Sequence, residues 1–149
     1  MRQILCLALC FTGAAALSGC GDHEKQTQAA IDQVTAADEA NLNDIMLTVG
    51  NPDDAVAYFQ KLSIEQPTRI DVKRDLGTSL IRADRSTEAV GVWTAVVNST
   101  DGTNDDKVQL ASALIRTNEW TKAAEVLNTI PPTYETYERY RLEAMVADS

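Results

Sequence analysis

Three stretches of this chain, DDAVAYFQKL (53–62), STEAVGVWTAVV (86–97) and WTKAAEVLNTI (120–130), superimpose at a fixed shift of 34 residues. The shift carries Ala55 to Ala89 to Ala123, Phe59 to Trp93 to Leu127, and Leu62 to Val96 to Ile130. Upstream it carries Leu42 to Leu76 to Leu110 and Met46 to Leu80 to Leu114. All fifteen positions are apolar in a chain that is 44% hydrophobic. Chance alone gives such a set with a probability on the order of 10⁻⁵ before the choice of register is counted. A repeat of this length constrains the fold more than any other feature, because one unit cannot bury its apolar face without a neighbour.

Within a unit the apolar residues fall at helical spacing. Leu76 and Leu80 are four apart, as are Ala89 and Trp93, and Trp93 to Val96 is three, so each unit reads as two helices. Boundary residues agree. Thr68-Arg69-Ile70-Asp71 has the pattern of a capping box. Asn51-Pro52-Asp53-Asp54 supplies an N-cap, a first-turn proline and two acids for the positive helix end, and Asn104-Asp105-Asp106 repeats the acids. Pro67 and Pro131-Pro132 stop helices. Gly77, inside a helix, costs about 1 kcal/mol relative to alanine; the expected reason is a close approach, with Ala89 as the small partner. A last helix is expected from Thr133 to about Ala147, packed through Tyr137, Tyr140 and Ala144. It reads as a fourth unit lacking its second helix, either because the chain is shorter than its relatives or because a partner covers that end.

The 34-residue helix pair resembles a tetratricopeptide repeat. The residues that carry the likeness are Leu76-Gly77 in a first helix, Ala55, Ala89 and Ala123 opening the second helices, the aromatics Phe59 and Trp93, and Pro67 closing a unit. Asn43 and Ala111 replace the glycine, Leu127 the aromatic, and Asp101 and Glu135 the closing proline. The resemblance implies an all-α, right-handed α-solenoid of about three such pairs plus one C-terminal helix. The units are about 36–69, 70–103 and 104–137, with a partial fourth at 138–149. The repeat core is expected to be Leu42, Ala55, Phe59, Leu76, Gly77, Ala89, Trp93, Leu110, Ala123 and Leu127.

The N-terminus is a separate matter. Beyond Arg2, Ile4 to Leu17 is a stretch of fourteen residues without a charge. That is too short for a helical membrane span and suits a signal-peptide core. It ends in Leu17-Ser18-Gly19-Cys20, which resembles a bacterial lipobox. The expected organisation is a signal peptide at 1–19, a lipidated Cys20 with a polar tether at 20–38, and a repeat domain at 39–149. Acyl chains on Cys20 would anchor the chain to a membrane. Gly21 in the next position implies, by the same resemblance, the outer membrane and its periplasmic face. No cysteine follows Cys20, so the fold needs no disulfide.

Chemistry is thinly represented. The single histidine, His23, lies in the tether and reads as a solvated linker residue. The acid pairs Asp53-Asp54 and Asp105-Asp106 read as dipole-facing helix starts. Residues 100–105 lack the spacing and closing glutamate of a calcium loop. No catalytic residue, metal site, cofactor or small-molecule substrate is expected. A net charge of −9 argues against nucleic acid. Binding to protein is the better expectation. In repeats of this kind the first helices line a groove, here Arg74, Thr78, Ile81 and Arg82, then Val108, Ser112, Ile115 and Arg116. Ile81 to Ile115 and Arg82 to Arg116 recur at 34, giving an apolar row beside a basic row suited to a peptide carboxylate or an acidic segment.

The phrases SLIRADRSTEAVGVW (79–93), LASALIRTNEWTKA (110–123) and above all IPPTYETYERYRLEAMVADS (130–149) resemble the TadD-type lipoproteins of tight-adherence (Tad/Flp) pilus assembly. That resemblance covers the lipobox and about residues 44–149. It implies a lipoprotein scaffold that binds secretin or other pilus-assembly components. A general periplasmic adaptor for envelope protein assembly is the alternative.

Overall fold

The computed structural model describes residues 20–149, with side chains from Gln33 onward, Val34 excepted. The signal peptide expected at 1–19 lies outside the described residues. Among those described, every regular element is helical: α1 (Cys20–Thr48), α2 (Pro52–Glu65), α3 (Ile70–Arg82), α4 (Ser86–Val97), α5 (Asn104–Arg116), α6 (Trp120–Asn128) and α7 (Tyr137–Ala147). Contacts divide the chain at Ala40, with Asn41–Ser149 forming the larger body. In that body successive helices from α2 to α7 pack on one another, and α7 also packs on α5. The architecture is an all-α helical-repeat solenoid. None of the described helices is long and apolar enough to cross a membrane.

The repeat positions make the core. Ala55, Ala89 and Ala123 are fully buried, and so are Phe59 and Val96. Trp93, Leu127, Ile130, Leu76, Leu110, Leu80 and Leu114 are all at most 8% exposed. Three of the fifteen periodic positions differ, and all three lie in the first unit. Leu62 and Met46 are half-buried, and Leu42, expected in the core, is 44% exposed. Among the described residues no helix precedes α1 to cover that face.

Helix ends follow local chemistry. Asn51 caps α2 by accepting from the Asp53 and Asp54 amides. The box expected at Thr68 does not form. Arg69 is the N-cap of α3 and makes no side-chain cap, so Asp71 sits one position too early in the helix to reach back. Its carboxylate takes the Arg69 guanidinium instead. Among the described residues the capping box is Thr103–Asp106, at the start of α5. Asp84 and Asn118, 34 apart, both adopt left-handed backbone (φ 58° and 61°). Each closes a helix: the Arg85 and Glu119 amides bond back to Leu80 and Leu114, and the Asp84 and Asn118 amides to Ile81 and Ile115. This is the Schellman closure, with residue types that tolerate the conformation.

The last helix departs most from expectation. α7 starts at Tyr137, not Thr133. Tyr137 is 82% and Tyr140 49% exposed, whereas Leu142 is 1% exposed and Val146 packs on the core. Leu142 and Val146 follow Leu110 and Leu114 by 32 residues rather than 34. Two residues turn a helix by about 200°, so a strict 34-residue extrapolation points to the wrong face.

Candidate binding surface

Gly77 shows how the second unit is held. A Cβ there would lie 2.6 Å from Cε2 and 2.7 Å from Nε1 of Trp93. The close approach anticipated for this glycine therefore comes from the indole of α4, not from Ala89. The Trp93 N–H is buried and has no partner among the described residues.

Of the expected groove residues, one helix face carries Arg74, Thr78, Ile81 and Arg82 on α3, and another carries Val108, Ser112, Ile115 and Arg116 on α5. The structure gives them different roles. The Arg74 guanidinium donates to both carboxylate oxygens of Asp106 at 2.8 Å and to the Asp101 carbonyl at 2.9 Å. It is an inter-unit tie, not a free groove cation. Asp106 is 2% exposed. Its carboxylate also accepts from the Thr103 amide (2.8 Å) and hydroxyl (2.9 Å). Burial pushes this carboxyl up, but the hydrogen bonds from Arg74 and Thr103 outweigh it and hold the group below its ordinary range.

Arg82 is also committed. It donates to the Met46 carbonyl at 2.9 Å and the Gly50 carbonyl at 3.1 Å, capping the end of α1. The first unit turns at Gly50 without a positive φ, so no Schellman closure takes up the Met46 carbonyl. Arg116, its repeat counterpart, is exposed and makes no hydrogen bond or ion pair among the described residues. The basic row expected from sequence is thus one structural and one open arginine. The apolar row splits similarly. Val108 and Ile115 are buried (3% and 6% exposed) in the same core cluster as Leu142. Ile81 stays half-buried, as does Ser112, and Thr78 is exposed. Those three and Arg116 are the groove residues whose side chains are accessible and not taken up by the ties of Arg74 and Arg82.

Two residues that the sequence reading passed over also shape this region. Arg139, 9% exposed, donates to the carbonyls of Pro131 and Tyr134, both at 2.9 Å, and to Glu143 at 2.8 Å. Thr136 caps α7, and the Tyr134 hydroxyl donates to Asp105. The phrase IPPTYETYERYR is therefore a clasp between α5, the turn and α7. The X-P-P-x-Y spacing before an arginine is the signal that marks it. Asp75 on α3 is the other residue. Half-buried and with no hydrogen bond to its carboxylate among the described residues, it is pushed up to about 6 by burial, with Asp71 adding and Arg69 opposing. A carboxyl raised in the folded state lowers stability once pH passes above its unfolded range, and the cost is complete above about 6. Asp75→Asn is expected to stabilise the fold by about 1 kcal/mol at pH 7, a figure reduced for partial exposure, and to leave it unchanged near pH 4. Thermal melts at both pH values test this; an equal gain at each would remove Asp75 as the cause.

No group of side chains among the described residues has the composition of a metal site. Comparison with protein-family models, with curated proteins and with solved structures returned no match.

Proposed function

We propose that this chain is a non-catalytic scaffold, held at the periplasmic face of the outer membrane by lipid on Cys20, that binds protein partners during Tad/Flp pilus or secretin assembly. The solenoid supplies a large surface with few titratable groups in chemically useful company, which favours recognition over catalysis. One observation carries the binding reading: Arg116 is open where its counterpart Arg82 is spent on backbone. An uncommitted guanidinium beside the accessible Ser112, in a chain of net charge −9, is a local reversal of sign. It suits a partner's carboxylate or acidic segment. The assignment to pilus assembly rests on the lipobox and on the phrases at 79–93, 110–123 and 130–149, the last of which forms the Arg139 clasp.

The test is capture of secretin subunits by the lipidated chain. Arg116→Glu is expected to weaken capture by about tenfold while lowering stability by at most about 1 kcal/mol, because the side chain makes no hydrogen bond or ion pair among the described residues and an acid in the last turn of α5 meets only the negative end of the helix dipole. Undiminished capture by this variant would remove the groove, and failure of the parent chain to capture any secretin subunit would remove the pilus assignment.

A further inference from the structure

The first helix of each unit presents the same face at positions 34 apart, and only the first is uncovered. Leu76 and Leu110 are 8% and 5% exposed, and Ser79 and Ala113 are fully buried. Their counterparts on α1, Leu42 and Ile45, are 44% and 51% exposed. Val49 is 79% exposed, whereas its counterparts Ala83 and Thr117 are half-buried. The difference lies in what packs there. α3 is flanked by α2 and α4, and α5 by α4 and α6; among the described residues no helix precedes α1. Leu42, Ile45 and Val49 follow the three-then-four spacing of one helix face. The inner units show that a face in this register is covered by a helix.

Charge decides which helix. Between Lys25 and Lys61 the sequence has no lysine, arginine or histidine, but six acids: Asp32, Asp38, Glu39, Asp44, Asp53 and Asp54. Asp44, Asp53 and Asp54 are exposed. Arg82, whose guanidinium reaches the end of α1, has donors committed to two carbonyls, and Lys61 pairs with Glu65. A second copy is poorly matched. Its own α1 end would set acids against acids, and in α7 Arg139 and Arg141 are already paired with Glu143 and Glu138.

We infer that the Leu42–Ile45–Val49 face docks an amphipathic helix with a lysine- or arginine-rich rim, contributed by a partner protein and standing where the second helix of a preceding unit would stand. This deepens the reading of the chain as a protein-binding scaffold, but uses a surface separate from Arg116.

The probe is a fluorescein-labelled synthetic peptide about four turns long, carrying alanine, phenylalanine and leucine at the spacing of Ala55, Phe59 and Leu62, with lysine elsewhere. Anisotropy titration against the full chain is expected to show saturable binding, weakened at least about tenfold by Ile45→Lys and several-fold by Val49→Ser. Replacing the peptide's lysines with glutamate, or scrambling its apolar positions, is expected to weaken binding by at least about tenfold. Arg116→Glu should have no effect, which separates this face from the groove. Both substituted residues are exposed, so melts should match the parent. Absence of binding, equal binding to Ile45→Lys, or equal binding of the glutamate peptide would each overturn the proposal. So would sedimentation showing a dimer that Ile45→Lys dissociates, because a second copy would then be the occupant.

Discussion

Asp106→Ala is expected to lower the unfolding free energy by about 3 kcal/mol, near the lower end of what breaking a buried ion pair costs. The carboxylate holds the bidentate Arg74 guanidinium and both donors of Thr103. Its loss removes the tie between α3 and α5 together with half of the capping box. Arg74→Ala is expected to cost less, about 1–2 kcal/mol, because Thr103 and the helix N-terminus still satisfy the acid. The Arg74 side chain is 31% exposed and can reach water when it loses its partner, which keeps the aspartate figure from rising higher. A double-mutant cycle by urea unfolding should give a coupling of about 1.5 kcal/mol between the two. The folded carboxyl is held below its ordinary value of 3.8. The stability it contributes is therefore present above that value and disappears as pH falls through the lower folded one. The gap between parent and Asp106→Ala should close in acid, as it does for Asp75→Asn, but from the opposite side: at pH 7 the parent is the more stable of the first pair and the less stable of the second. A loss below about 1 kcal/mol at pH 7 would place this ion pair with ordinary surface pairs.

Asp106 also shows where sequence reading stops. The 34-residue period made the helix pairs and most of the core legible, because burial in a solenoid repeats with the chain. It did not reveal Leu42, since periodicity marks equivalent positions without saying whether a neighbour exists to cover them. Nor could it reveal the Arg74–Asp106 tie. The counterparts of Arg74 are Ala40 and Val108, so the pair occurs once, and Asp106 resembles any acid in a first turn. The Thr103-x-x-Asp106 pattern was available as a signal and was overshadowed by the similar Thr68-x-x-Asp71. Arg82 and Arg116 were indistinguishable because their difference lies in backbone carbonyls at the end of another helix. The face of α7 was misplaced by a two-residue change of register hidden in the PPTYET turn.

The register that misleads at α7 explains a substitution elsewhere. Gly77→Ala ordinarily favours a helix by about 1 kcal/mol. Here it is expected to lower stability by about 2–4 kcal/mol, because its methyl would stand 2.6 Å from an indole that is only 3% exposed and has no room to withdraw. The repeat itself supplies the remedy. The positions of Gly77 and Trp93 are occupied in the third unit by Ala111 and Leu127, both buried, and in the first by Asn43 and Phe59. The smallest residue faces the largest ring, and the third unit sets alanine and leucine at the same two repeat positions, as expected if the two positions share one volume; Asn43 and Phe59 in the first unit depart from that pattern. Trp93→Leu alone should cost about 2–3 kcal/mol through the cavity it leaves. Combined with Gly77→Ala it should cost much less than the sum of the two single losses. The methyl fills part of that cavity, and the unpaired indole N–H disappears with the ring. Urea unfolding of the parent, both single variants and the double variant measures this directly. Additive losses in the double variant would mean that the helices are held apart by something other than this glycine–indole contact.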